Sequence, residues 1–421
     1  MMLDKGTIVK TIICCICLLE LAWSKDNVQM GNEAFAKGDF NKAAEHYREA
    51  IEAKPTFAAY VNLGHSYMRL ERWDDASMAY EAAIRLEEDS VTADLWQSIG
   101  QARFQSKKYE QAMNAFFKAS SLNPESTEDN IWIARCMIEL KQWIQAQSVL
   151  LGQLQRQPKN SSVLELLAYV FEQQDNWPGA ITVYRELVEI FPERTAYRIA
   201  LAKALTVQGQ NQQAIDVLEF AWRIDTSFSE QSNRLLADLY LAEDMPQEAA
   251  ACYTRLVMTL DNPSSEDYYR LGLAYYQTKE LTSAKDAFIN MQQEKPTDFK
   301  ADLYLGHIEG EKGNLNKAKF HYKSAAVKNP SSAESFVALA DIQMKSKNYA
   351  GAAANFAKAV KIGDKRPQLY YNYILALMNN NDETRVKEVF KEALAEYPSD
   401  TQLIRLLDRH ITHVISGQGD I

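Results

Sequence analysis

A small residue followed four positions later by a large ring or leucine recurs along this chain every 33 to 36 residues, and this recurrence constrains the fold more than any other feature. The small members are Ala43, Ala76, Ala112, Ala146, Ala180, Ala214, Ala249, Ala284, Ala318 and Ala352, closed by Val386. The large ones are Tyr47, Tyr80, Phe116, Leu150, Tyr184, Leu218, Tyr253, Phe288, Tyr322, Phe356 and Phe390. Residues i and i+4 share one face of an α-helix, so each unit carries a helix with a small-then-large stripe. Twelve residues before each marker stands a second small residue: Gly31, Gly64, Gly100, Ala134, Ala168, Ala202, Ala237, Gly272, Gly306 and Ala340, with Ile374 the exception. Two antiparallel helices facing each other with small residues approach closely, and the ring fills the gap beside them. Turns such as Lys37-Gly38-Asp39, Gln208-Gly209-Gln210 and Lys312-Gly313-Asn314 separate the two helices, and glycine there takes the left-handed, helix-ending conformation. Units close at Pro55, Pro124, Pro158, Pro192, Pro296, Pro330 and Pro398, where proline stops the second helix.

Small residue, aromatic and proline at these offsets resemble the tetratricopeptide repeat family over about residues 25 to 398. Proline is absent at Glu88, Thr226, Asp261 and Asp364, and the last repeat departs at Ile374 and Val386. The expected fold is all-α: a right-handed α-solenoid of eleven tandem helix pairs, with a capping helix and tail over 399–421 carrying Leu403, Leu406, Leu407, Ile411 and Val414 at helical spacing.

The first 24 residues stand apart. Lys5 and Lys10 precede an apolar run from Thr11 to Leu19, and Ala22 and Ser24 offer small residues at a cleavage site, the pattern of a secretory signal peptide. Export is therefore expected, into a bacterial periplasm, with an amino-terminal membrane anchor as the alternative. The run is about half the ~20 apolar residues of a spanning helix, and Glu20 interrupts it, so no membrane span is expected in the mature chain. Past the leader only Cys136 and Cys252 remain, three repeats apart, and they are expected to be buried free thiols.

A formal charge of −10 and a pI near 5.3 argue against nucleic acid as a partner. No phosphate-binding glycine loop, zinc-protease motif or nucleophile elbow occurs, and no cofactor, metal site or enzymatic activity is expected. His410 and His413 share a helix face without a third ligand. Asn160-Ser161-Ser162 is a glycosylation sequon. In each first helix the positions spaced three and four apart form one face, which by the family resemblance lines a concave groove. That face carries Phe35, His65, Met68, Phe104, Arg135, Tyr169, Lys203, Arg234, Tyr269, Leu273, Tyr276, His307, Met344, Tyr371 and Met378, with Tyr269, Leu273 and Tyr276 the densest group. Rings, methionine and arginine in a groove are suited to holding a peptide. The family has a subtype that clamps acidic chaperone tails. Asn32 and Asn62 match its asparagines, but Val28, Asp94 and Ser98 stand where its cations belong. The function expected is a scaffold or adaptor binding peptide segments or partner proteins in an envelope assembly, secretion or polysaccharide-export complex. The alternative is a repeat protein that assembles with itself into homo-oligomers.

Overall fold

The protein is described by a computed structural model covering residues 23–224 and 229–416. Among these residues every regular element is helical. A first compact unit, ending at Gln210, holds α1 (23–36), α2 (Phe40–Ala53), α3 (Phe57–Arg69), α4 (Trp73–Leu86), α5 (Ala93–Gln105), α6 (Tyr109–Leu122), α7 (Thr127–Glu139), α8 (Trp143–Arg156), α9 (Ser161–Gln173), α10 (Trp177–Ile190) and α11 (Thr195–Val207). A second, beginning at Asn211, holds α12 (Asn211–Ile224), α13 (Glu230–Ala242), α14 (Pro246–Thr259), α15 (Ser265–Gln277), α16 (Leu281–Glu294), α17 (Phe299–Glu311), α18 (Leu315–Lys328), α19 (Ala333–Lys345), α20 (Tyr349–Ile362), α21 (Pro367–Asn379), α22 (Glu383–Glu396) and α23 (Thr401–Ser416). Up to α22, odd numbers are first helices of repeats and even numbers second helices. Within each unit a helix packs on those next to it in sequence, the arrangement of an α-solenoid.

The small-to-ring contact builds each pair. Ala76, Ala112, Ala180, Ala249 and Ala318 are fully buried, as are Tyr80, Phe116, Phe288 and Phe356. Glycine in the first helix is a steric requirement where the ring lies closest: a Cβ at Gly64 would sit 2.4 Å from the Tyr80 ring, and one at Gly306 would sit 2.5 Å from the Tyr322 ring. In the last repeat Ile374, Val386 and Phe390 are buried together, so bulk replaces the small pair there.

Most first helices start on side-chain caps. Thr56, Thr92, Ser126, Asn160, Ser229, Ser264 and Ser332 each accept a backbone N–H from the first turn, satisfying a donor that the helix leaves unpaired. Asn160 of the sequon is one of these caps. Between the helices of every repeat one residue is left-handed. Gly38, Gly209 and Gly313 do this as expected, and Glu71, Lys107, Lys141, Asp175, Asp244, Lys279, Lys347 and Asn381 do it at φ between 54° and 63°. The next residue's N–H reaches back to close the helix, as from Arg72 to Tyr67 O at 2.9 Å and from Gln142 to Met137 O at 2.8 Å. That closing pattern, rather than glycine, is what the turns share.

Capping helix α23 packs on α21 and α22, with Leu403 and Leu406 buried and Leu407 against the same core. The side chains of Ile411, His413 and Val414 lie outside the described residues, as does Thr226. So do residues 1–22 of the expected leader; Trp23 and Ser24 are the first residues of α1, where the Ser24 hydroxyl donates to Ala50 O at 3.1 Å. No described helix is long and apolar enough to cross a membrane.

Gly64→Ala is expected to lower stability by about 1–3 kcal/mol through overpacking against the buried Tyr80 ring. Gly310→Ala, whose Cβ would meet nothing closer than 3.7 Å, is expected to be neutral or stabilising by up to ~1 kcal/mol. Thermal and urea unfolding of the full chain distinguishes the two.

Candidate partner-binding surface

The residue just after the first-helix small position stands fifteen residues before the second-helix ring or leucine. In four repeats that ring is a tyrosine whose hydroxyl takes this residue as its partner, whereas Tyr184 donates to Glu172 instead. Tyr47 donates to Asn32 Oδ1 at 2.7 Å, Tyr80 and His65 Nδ1 share a bond at 2.8 Å, and Tyr322 and His307 Nδ1 share one at 2.9 Å. Tyr253 donates in the same way to Asp238. A buried phenol needs such a partner, because leaving it unpaired costs about 1–3 kcal/mol. A residue of the following repeat completes two of these sites: Asn62 Nδ2 lies 3.2 Å from Asn32 Oδ1, and Arg270 Nη1 lies 3.2 Å from Asp238 Oδ1. Asn32 and Asn62, which matched the chaperone-tail subtype, are thus bonded to each other.

Over two of the phenylalanine rings an aromatic residue of the next repeat stacks instead. Trp132 lies over Phe116 at 5.5 Å with planes 8° apart, and Tyr304 over Phe288 at 4.9 Å and 13°. Trp132 then meets Phe104 edge-on at 5.3 Å and carries the Arg135 guanidinium 5.1 Å from its centroid. Tyr304 holds together Tyr269 and Tyr276, each at 5.8 Å, and His307 at 5.7 Å. Neither Trp132 nor Tyr304 stood out in the sequence. Their signal is an aromatic residue sixteen positions after a repeat phenylalanine.

The structure therefore brings Tyr269, Tyr276 and His307 into one cluster and leaves less open ring area than expected. Tyr276 also donates to Glu311, and Lys300 Nζ caps Tyr269 at 4.6 Å. Leu273 is half-buried beside them. In the first unit Phe35 meets Phe40 edge-on at 5.2 Å, and Met68 packs on the amino-terminal core. Tyr169 is 42% exposed with an edge against Trp143, and Lys203 is exposed. Met344, Tyr371 and Met378 pack against the carboxy-terminal core.

Arg234 departs from expectation. Its guanidinium is turned into a two-point bond with Asp267, at 2.9 and 3.0 Å, and also pairs with Glu230. Asp267 is buried and caps α15 through Ser264, so Arg234 ties one repeat to the next rather than facing a partner. The second helices present a mixed exterior. Glu45, Lys118, Glu186 and Lys323 are exposed, and so are Ile144, Met258, Phe320 and Val327 on the same set of helices, at 77, 80, 70 and 71%.

Two clefts open on first-helix faces. One, of about 230 Å³ in the first unit, is lined by Asn32, Phe35, Asn62 and His65. The other, of about 220 Å³ in the second unit, is lined by Tyr276, His307, Glu311, Tyr322, Asp341 and Lys345. Burial holds the imidazoles of His65 and His307 below the usual histidine range, so both are neutral at neutral pH. Cys136 and Cys252 are buried free thiols, and burial pushes Cys136 up to about 12, leaving it an unreactive packing residue. Among the described residues no three His, Cys, Asp or Glu side chains are grouped to hold a metal. His410 is buried with Nε2 3.1 Å from Glu383.

Tandem helix pairs with walled clefts on their first helices define a helical-repeat protein-interaction scaffold. Residues 21–233 match the family described as the Cilia and flagella-associated protein 70 C-terminal domain, and residues 305–368 match a tetratricopeptide repeat. This chain belongs to the tetratricopeptide repeat family. It is 25% identical to a Tetratricopeptide repeat protein 21 homolog of Caenorhabditis briggsae over 70% of this chain and 24% of that protein. It is 22% identical to the BBSome complex member BBS4 of Bos taurus over 75% of this chain and 59% of that protein. The chain thus spans less than two thirds of the length of either relative. Among solved structures, the APC/C hetero-tetramer Cut9-Hcn1 is similar with a TM-score of 0.41 and 13% identity, over 94% of this chain and 98% of that one.

Asp267 and Asp302 give the array an acid limit. Burial alone would raise both carboxyls, but the bonds of Ser264 and Arg234 to the first, and of His321, Lys328 and Ser324 to the second, outweigh it and hold both below the ordinary value. A depressed folded-state value means stabilisation that is complete above the unfolded carboxyl value of about 3.9 and is lost as pH falls through the folded one. Stability is expected to be level from pH 7 to 5 with respect to these groups and to fall below about pH 4. Arg234→Ala is expected to cost about 1.5–3 kcal/mol at pH 7 and to flatten the acid loss, measured by urea unfolding at each pH.

Proposed function

We propose that this chain is a non-catalytic adaptor that holds extended segments of partner proteins in its first-helix clefts, as a component of a ciliary or flagellar assembly. The observation that carries the reading is the pair of clefts, each walled by rings and imidazoles whose polar atoms are bonded from within, so the walls are rigid before a partner arrives. Pre-ordered walls spare the partner part of the ordering cost of binding. The ciliary setting is supported by the match of residues 21–233 and by the relative named as a BBSome member. The envelope or secretion setting expected from the leader draws no support from these animal relatives. Export is a separate proposal resting on residues 1–24 alone, and amino-terminal sequencing of protein from cells tests it: a chain starting near Lys25 supports it and a retained Met1 opposes it.

Affinity purification of the full chain from ciliated cells tests the adaptor reading. Phe35→Ala with His65→Ala in one cleft, or Gly310→Leu filling the other, is expected to weaken at least one partner tenfold or more. Glu45→Lys and Lys323→Glu are expected to leave partners within a factor of two, as exposed substitutions do. Retention of every partner by the cleft variants, with loss on Phe320→Ser and Val327→Ser, would instead place partners on the second helices. Self-association is checked by light scattering with and without residues 401–421.

A further inference from the structure

The cleft of the second unit exists because two residues that are bulky in neighbouring repeats are small here. Four residues after the small position stand Phe35, Met68, Phe104, Tyr276 and Met344 in other repeats, but Gly310 in this one, and a Cβ there would touch nothing closer than 3.7 Å. Beside the tyrosine ring, Asn62 and Arg270 reach in from the following repeat elsewhere, whereas Ala338 occupies that place next to Tyr322.

Asp341 borders the space left open. Its counterpart Asp238, at the same register, is held by the Tyr253 hydroxyl and by Arg270 at 3.2 Å. Fifteen residues after Asp341 the ring is Phe356, which has no hydroxyl, and the residue in the place of Arg270 is Asn372, whose Oδ1 is taken by Gln368. Among the described residues no hydrogen bond or ion pair reaches the Asp341 carboxylate. Burial raises it above the usual range; Lys345 and Arg366 act on it only through space, and Arg366 is itself bonded to Asp364. The other carboxylate of the cleft, Glu311, already accepts from Tyr276 and from Lys279 Nζ at 3.2 Å. His307 is committed to Tyr322.

We propose that this cleft receives one Lys or Arg side chain of an extended partner segment, with its cationic head on Asp341 and its stem along Tyr276, His307 and Tyr322. The partner's cation takes the place that Arg270 fills at Asp238. At about 220 Å³ the space suits a single side chain, below the roughly 300–1,000 Å³ of pockets for drug-sized ligands. Tyrosine faces favour a cation that is partly desolvated. This inference rests on the reading that first-helix clefts hold partner segments.

The test uses the full chain and fluorescent decapeptides that are identical except for a central Arg, Lys, citrulline or norleucine, with affinities from anisotropy. Arg and Lys peptides are expected to bind at least tenfold more tightly than the citrulline and norleucine ones. Asp341→Asn should bring that preference below twofold, and Gly310→Leu should abolish binding of all four. Citrulline binding as tightly as arginine, with both lost on Gly310→Leu, overturns the cation while leaving the cleft as a peptide site. Binding of every peptide unchanged by Gly310→Leu overturns both readings. If Asp341→Asn also melts early, exposed Lys345→Ala decides: removing that nearby charge should tighten the arginine peptide at least twofold, and no change counts against the proposal.

Discussion

Everything in this array depends on one contact, the seating of a second-helix ring over a small first-helix residue. At Gly31, Gly64, Gly100, Gly272 and Gly306 the ring lies so close that a methyl group would overlap it. Other repeats carry alanine in that place, as at Ala168 and Ala237 twelve residues before Ala180 and Ala249, and all four are fully buried. Because the pair is close-packed, a change in the chemistry of the ring cannot be absorbed locally and reappears on the adjoining surface.

That transmission is what gives the groove its character. Four tyrosine rings recruit a polar groove residue, Asn32, His65, Asp238 and His307, and two phenylalanine rings recruit a stacking partner, Trp132 and Tyr304. Leu150 and Leu218 offer neither. In those six repeats groove chemistry follows from the choice of core ring. Asp341 is informative because it follows neither rule: a carboxylate stands where a phenol would normally be its partner, and the ring below is Phe356.

The helix pairs, the three glycine turns and the capping leucines Leu403 and Leu406 were legible in the sequence because they depend on contacts within one period, which repetition makes visible. The groove was less so. His65 and His307 look like free ligands when only their own helix is read, and their phenol partners come fifteen residues later. Arg234 is claimed by Asp267, thirty-three residues on. The eight left-handed turns without glycine also escaped notice, since Lys141 or Glu71 carries no compositional mark of that conformation. Exposed Phe320 and Met258 could not be told from core residues by type alone. For the groove residues the missing information was the identity of a neighbour in the adjacent helix or repeat.

The neighbour-only packing within each unit also bears on how such a chain comes to be folded. Contacting residues are separated by roughly one repeat, so the loop entropy lost in forming any interface is small and similar along each unit. A repeat leaving the ribosome has its docking surface already present in the repeat before it, and order can advance in the direction of synthesis without waiting for the carboxy terminus. The same locality confines damage. A defect at one small-to-ring seat interrupts propagation at that point, leaving the stretches on either side with their own nearest-neighbour interfaces intact.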